Sequence, residues 1–196
     1  MKILSLVEAN RYLEAIGMKI GSWGEISPVL GRQSWTKYHA PKEGLLSFSQ
    51  HIAGWLGNGK WKIFQVDNST GWMDPVQASF FGGLLFGGEQ VPNVNALKER
   101  TFLFEFAGRP EENDRLELLI SNLIYVFLLF SSHGYVASDG GRVVGLQDEF
   151  VYLHSDKEGL SSAKTMLKNL AAHPIASPQW VIDIIVRDQE RSITHA

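Results

Sequence analysis

The side chains able to do chemistry are scattered along this chain. Its six histidines stand at 39, 51, 133, 154, 173 and 195. None is two or four residues from another, and none falls in a His-Glu-x-x-His pattern, by which one helix offers two imidazoles to zinc. There is no cysteine, which excludes thiolate ligands, a thiol nucleophile and a disulfide framework. His154-Ser155-Asp156 has the residue types of a hydrolytic triad, but neighbours on one strand cannot face each other as nucleophile and base. Ser155 or Asp156 reads instead as the cap of a helix starting near Gly159. The glycine-rich run Phe80–Gly88, FFGGLLFGG, lacks the Lys-Ser/Thr of a phosphate loop and the glycine spacing of a dinucleotide site. It reads as glycines permitting close approach, or as an exposed apolar docking segment. Asp67–Gly71 has the oxygen side chains of a calcium loop but no later bidentate glutamate, and reads as a turn. No catalytic residue, metal ligand or cofactor is assigned.

Carboxylates are the one clustered reactive type. Glu111, Glu112 and Asp114 form one set, and Asp148 with Glu149 a second. Either has the chemistry to hold a divalent cation or move protons. The first set, however, falls in the opening turn of a helix, where the dipole favours carboxylates, and the second in a polar turn. Both are therefore assigned to partner binding. Trp23 and Trp72 join them, because glycines or turn residues flank both and partly exposed tryptophan favours interfaces. Five of the six tryptophans lie in the first 72 residues, and the rest read as core.

The charge pattern points the same way. Residues 1–66 carry a balance of +4 and residues 67–196 a balance of −7. No Lys/Arg cluster of nucleic-acid type occurs, so a phosphate backbone is not the expected partner. An acidic majority surface suits a basic protein.

The elements that must position these residues are centred on Leu116–Tyr135, the most apolar run, with no Asp, Glu, Lys or Arg between Glu117 and Asp139. A membrane span needs about 18–20 consecutive apolar residues, and Ser121-Asn122 interrupts this run. It is expected to be a core helix over about 111–133, opened by Pro110 and stopped by Gly134. Arg100–Ala107, RTFLFEFA, alternates as a strand with Phe102, Phe104 and Phe106 on one face, and is the expected packing partner. Lys60–Val66 alternates likewise. Gln33–Ala40 reads as a strand with Trp35, Lys37 and His39 on one side. Ser5-Leu6-Val7-Glu8 is a capping box opening a helix that Gly17 stops. Helices are also expected over Gly44–Leu56 and Gly159–Ala172, and a short one after Asp74-Pro75 that Gly82-Gly83 interrupts. Met18–Gly31 reads as loop with one short strand, and Trp180–Val186 as a strand in preference to a helix opened at Ser177-Pro178. Tyr135–Ala137, Arg142–Leu146 and Phe150–His154 form an antiparallel meander around Asp139-Gly140-Gly141. Helices and strands mix without a βαβ rhythm, so the class is α+β, in one globular domain over residues 1–196.

In general character the chain resembles the immunity proteins of bacterial polymorphic toxin systems of the contact-dependent inhibition type. The features are an apolar core helix, an acidic excess, no cysteine, no catalytic motif and aromatic, glycine-rich loops. The resemblance covers the whole chain and assigns no residue. It implies a cytoplasmic, non-catalytic protein that neutralises one cognate toxin by direct binding, with no membrane or nucleic-acid partner. The alternatives are a hydrolase-type enzyme whose site is assembled from distant residues, and a structural or phage-type assembly component.

Overall fold

A computed structural model describes residues 1–21, 24–29, 35–57, 59–66, 75–86, 100–106, 109–170 and 172–175. The fold is α+β. Eight strands, β1 (Lys2–Leu4), β4 (Trp35–His39), β5 (Trp61–Val66), β6 (Thr101–Glu105), β7 (Gly134–Ser138), β8 (Val143–Gln147), β9 (Phe150–His154) and β10 (His173–Ile175), make one sheet. Its order is β1-β6-β5-β7-β8-β9-β4-β10, and every pairing is antiparallel. A separate hairpin pairs β2 (Met18–Ile20) with β3 (Ile26–Pro28). The helices among the described residues are α1 (Leu6–Glu14), α2 (Leu45–Trp55), α3 (Pro75–Phe86), α4 (Pro110–Leu129) and α5 (Lys157–Asn169). Among the described residues, no helix is long and apolar enough to cross a membrane.

Two-residue alternation sends each strand's apolar residues to opposite faces. Phe64, Val66, Phe102, Phe104, Val136, Val144 and Leu153 meet the buried sides of α2, α3, α4 and α5 in the larger core. Ile63, Leu103, Ala137 and Val143 meet α1 and the β2–β3 hairpin in the smaller one. Phe127 of α4 sits at the centre of the first. Its ring lies edge-on to Phe64 at 4.7 Å and to Phe81 at 4.6 Å, so it ties the sheet to two helices. The strand expected to pack on this helix, β6, shares that core, though the ring contact itself is with β5 next to it.

The capping box at Ser5 is present: the Glu8 amide donates to Ser5 Oγ, and the Ser5 amide donates to the Glu8 carboxylate at 2.8 Å. The Ser5 hydroxyl, donating to the Glu8 carboxylate at 2.6 Å, and then the Ser5 amide hold the exposed Glu8 carboxyl below its ordinary range. Asp156 is likewise the cap of α5, accepting from the Gly159 amide at 2.7 Å. Four expectations are corrected. Gly82-Gly83 does not interrupt α3, which runs on to Phe86; Phe81 and Leu85 are buried, and that packing outweighs about 1 kcal/mol of helix propensity lost at each glycine. The core helix ends at Leu129 rather than near 133, because Ser131 takes the left-handed conformation (φ 51°). Gly134 opens β7 instead. Residues 18–20 and 26–28 form a hairpin where loop with one strand was expected. The short β1 and β10 were not foreseen. Trp180–Val186 lies outside the described residues.

Gly134 is required by space. A Cβ there would stand 2.6 Å from Phe127 Cε1 and 2.9 Å from the Gln65 carbonyl oxygen. Since one of those atoms is backbone in the neighbouring strand, Gly134→Ala is expected to cost about 2–3 kcal/mol, the range of core overpacking. A urea titration of the variant checks this.

Candidate partner-binding surface

The carboxylate pairs assigned from sequence lie at opposite ends of the molecule. Pro110 opens α4 beside the end of the sheet where Trp61 pairs with Glu105. The helix finishes at the other end, where Gly134 pairs with Val66 and with Leu146. Twenty residues at about 1.5 Å per residue separate those ends by roughly 30 Å. Asp148 and Glu149 turn from β8 into β9 at the far end. There each meets a histidine: His133 Nε2 is 3.1 Å from Asp148, and His39 Nε2 is 3.1 Å from Glu149. These two carboxylates thus brace the β8–β9 turn against β4 and the α4–β7 connection. Trp23 and Trp72 lie outside the described residues.

Glu111, Glu112 and Asp114 are all exposed on the first turns of α4. Glu112 holds Arg109 at 3.3 Å. Among the described residues, Glu111 and Asp114 make no ion pair, and Arg115 is the only other exposed cation on these turns.

Following the helix from these carboxylates leads to an unexpected surface. Leu118 lies seven residues beyond Glu111 and four beyond Asp114, so all three share one side of α4. Tyr125 and Leu129 continue the stripe at seven and eleven residues from Leu118. Leu118 is 54% and Leu129 49% exposed. The opposite side carries Ile120, Leu123 and Phe127, all buried in the core. A core helix is expected to be enclosed along its length. The same residues instead divide into an inner, buried stripe and an outer, exposed one.

Beside it, α3 supplies the rest. Its 12 residues include no charge. Phe81 and Leu85 face the core, whereas Val76 and Phe80, four residues apart, are 59% and 53% exposed. A depression of about 490 Å³ follows Val76, Ser79, Phe80, Gly83 and Leu84 along the helix. Phe80 joins this surface to α4 through the ring of Phe130 at 5.8 Å. Of FFGGLLFGG, Phe80 and Gly83 are exposed, whereas Phe81, Gly82 and Leu85 are buried.

Two other places gather polar groups. Half of the second sheet face, on β8, β9, β4 and β10, has no described helix over it. As expected, Trp35, Lys37 and His39 share this side. The ammonium of Lys37 stands 3.7 Å from the Phe150 ring centre, and Trp35 packs on His154 at 5.0 Å. These side chains largely satisfy one another and are half-buried. The second place is Lys62, whose side chain is fully buried, 3.4 Å from Glu117 on α4 and over the Phe106 ring. Burial lowers its pKa, while Glu117 and Asp139 oppose that shift. An amine with no exposed surface has no route to a substrate, so its role is to tie β5 to α4. Among the described residues, no three His, Asp or Glu side chains converge to hold a metal.

Compared with protein-family models, with curated proteins and with solved structures, the chain matches none.

Proposed function

We propose that this protein is a non-catalytic binding module, a cytosolic immunity or inhibitor protein that neutralises a cognate toxin by covering it. The supporting observation is the outer face of α3 and α4, where Val76, Phe80, Leu118 and Leu129 are about half exposed beside unpaired carboxylates. An exposed apolar face rimmed by polar residues marks a protein–protein interaction site, and charges at the rim steer the approach.

The test is capture of the partner encoded beside this chain, followed by affinity measurements with surface variants. Phe80→Glu is expected to weaken binding by at least about 30-fold, the loss of an anchor worth roughly 2 kcal/mol. Reversing Glu111, Glu112 and Asp114 together to lysine is expected to slow association and flatten its dependence on salt. Asp148→Lys with Glu149→Lys makes the parallel test at the other end. Unchanged affinity in both reversal variants removes the electrostatic part of the proposal. A partner indifferent to Phe80→Glu removes the surface.

A further inference from the structure

The chemistry of this face also defines what fits on it. Resting on the binding-module reading, we infer that its occupant is an amphipathic helix of the partner, lying along α3 and α4 with a basic end over the first turns of α4.

The apolar requirement comes from α3. A helix without charge and with Gln77 and Ser79 as its two polar residues leaves apolar residues on more than one side, and each such side is most stable when covered. The core encloses Phe81 and Leu85, yet Val76 and Phe80 remain at the surface. On α4, Leu118 to Leu129 spans eleven residues, or about 16 Å at 1.5 Å per residue. The depression along α3 and the outer stripe of α4 present apolar helical surfaces of the kind that receive a further helix through residues at i, i+3, i+4 and i+7.

The preference for a helix over a strand follows from the backbone. Within α3 and α4 the amides and carbonyls bond internally, so their outer faces offer only side chains. An extended segment laid there would bury its own amides and carbonyls against leucine and phenylalanine without partners, at about 1–3 kcal/mol for each group. A helix arrives with those groups already bonded.

Charge fixes the end. The stripe runs from apolar residues at Leu118–Leu129 into Glu111 and Asp114 on the same side. The first turns of α4 hold Glu111, Glu112, Asp114 and Glu117 against Arg109 and Arg115. Glu112 is engaged by Arg109 and Glu117 by Lys62. The two remaining outward carboxylates call for cations from the partner. A second copy packed through this same α4 stripe brings no cation of the stripe to them. A two-fold axis across α4 would set Glu111 and Asp114 against the apolar Leu129 end, and a parallel arrangement would set them against their own copies.

The probe is a synthetic 16-residue peptide with leucines at helical spacing and three arginines at one end. One control carries three glutamates at that end, and another keeps the arginines but scatters the leucines. Fluorescence anisotropy is read at low and high salt for the whole protein and for two variants, Phe80→Glu and Glu111→Lys with Asp114→Lys, whose folding is confirmed by thermal melts. The arginine peptide is expected to bind at least 10-fold tighter than either control. The double reversal should erase its advantage over the glutamate peptide, and Phe80→Glu should weaken both. Equal binding of all three peptides, or binding unaffected by Phe80→Glu, overturns the inference. If the peptide fails while a captured partner still depends on Phe80, the helix chemistry is wrong and the binding module stands. If the peptide binds at Phe80 but the chain protects no cell from the neighbouring toxin, the surface stands and the neutralising role falls.

Discussion

Phe127→Ala is expected to lower the unfolding free energy by about 3–5 kcal/mol, the range for a large buried ring removed from a packed core. The effect should reach the upper part of that range because the ring meets two others edge-on, Phe64 on β5 and Phe81 on α3, each contact contributing about 0.5–1.5 kcal/mol beyond area alone. Its loss also has a direction. Phe81 is the inward anchor of α3, so α3 should loosen before the sheet does. Hydrogen exchange of the folded variant should show residues 75–86 losing protection while β7 and β8 keep theirs. Partner affinity should fall although no surface residue has changed. A variant within 1 kcal/mol of the parent, or one whose α3 amides stay protected, would show that Phe127 is not the tie between the layers.

The second large effect concerns Lys62 and Glu117. Glu117→Gln leaves a fully buried ammonium without its carboxylate. Removing one member of a buried pair costs about 3–5 kcal/mol. Because the Glu117 side chain is 33% exposed, water screens part of the pair, and about 2–3 kcal/mol is the expected loss. Lys62→Met, by contrast, removes the desolvated charge along with its partner's obligation. It is expected to be neutral or stabilising by about 1–2 kcal/mol. The pH dependence has a defined sign. Burial depresses the folded-state pKa of Lys62 below 10.5, so in the alkaline window between the folded value and 10.5 the unfolded chain binds more protons than the native one. Stability attributable to this residue therefore rises with pH through that window. The difference in urea midpoint between parent and Lys62→Met should shift in the parent's favour as pH rises towards 10.5. A difference that is flat or moves the other way would remove burial as the cause.

How far such features could be read in advance depended on how local their causes are. The alternation of RTFLFEFA, the Ser5–Glu8 capping box and the Asp156 cap lie within a few residues of chain, and each was legible. The meander of β7, β8 and β9 was legible too, because its turns are short, one marked by Asp139-Gly140-Gly141 and the other by the polar Asp148-Glu149. Features whose cause lies far away were not. The glycine pair at 82–83 reads as a break until α4 is present to hold Phe81 and Leu85. Strands of three residues such as β1 and β10 carry too little alternation to announce themselves and exist through partners on β6 and β4. The acidic sets were visible, but nothing local says that Asp148 and Glu149 face His133 and His39, or that α4 separates them from Glu111. The exposed stripe on α4 is hidden in the sequence for a different reason. Its leucines and its core residues are equally apolar, and composition alone does not tell the side facing water from the side facing Phe64.

The strand order has a consequence for how the chain is made. Its first strand pairs with residues 101–103, and β4 lies between β9 and β10, which begin at residues 150 and 173. A ribosome adding about 5–20 residues per second needs roughly 5–20 s to bridge each of those hundred-residue intervals. Throughout that time Trp35, Tyr38 and the apolar amino terminus emerge without the strands that will receive them. Pairings this distant in sequence slow folding, so the amino-terminal third should be the segment that chaperones meet. Truncating the chain before β9 should leave β4 unpaired and prone to aggregation.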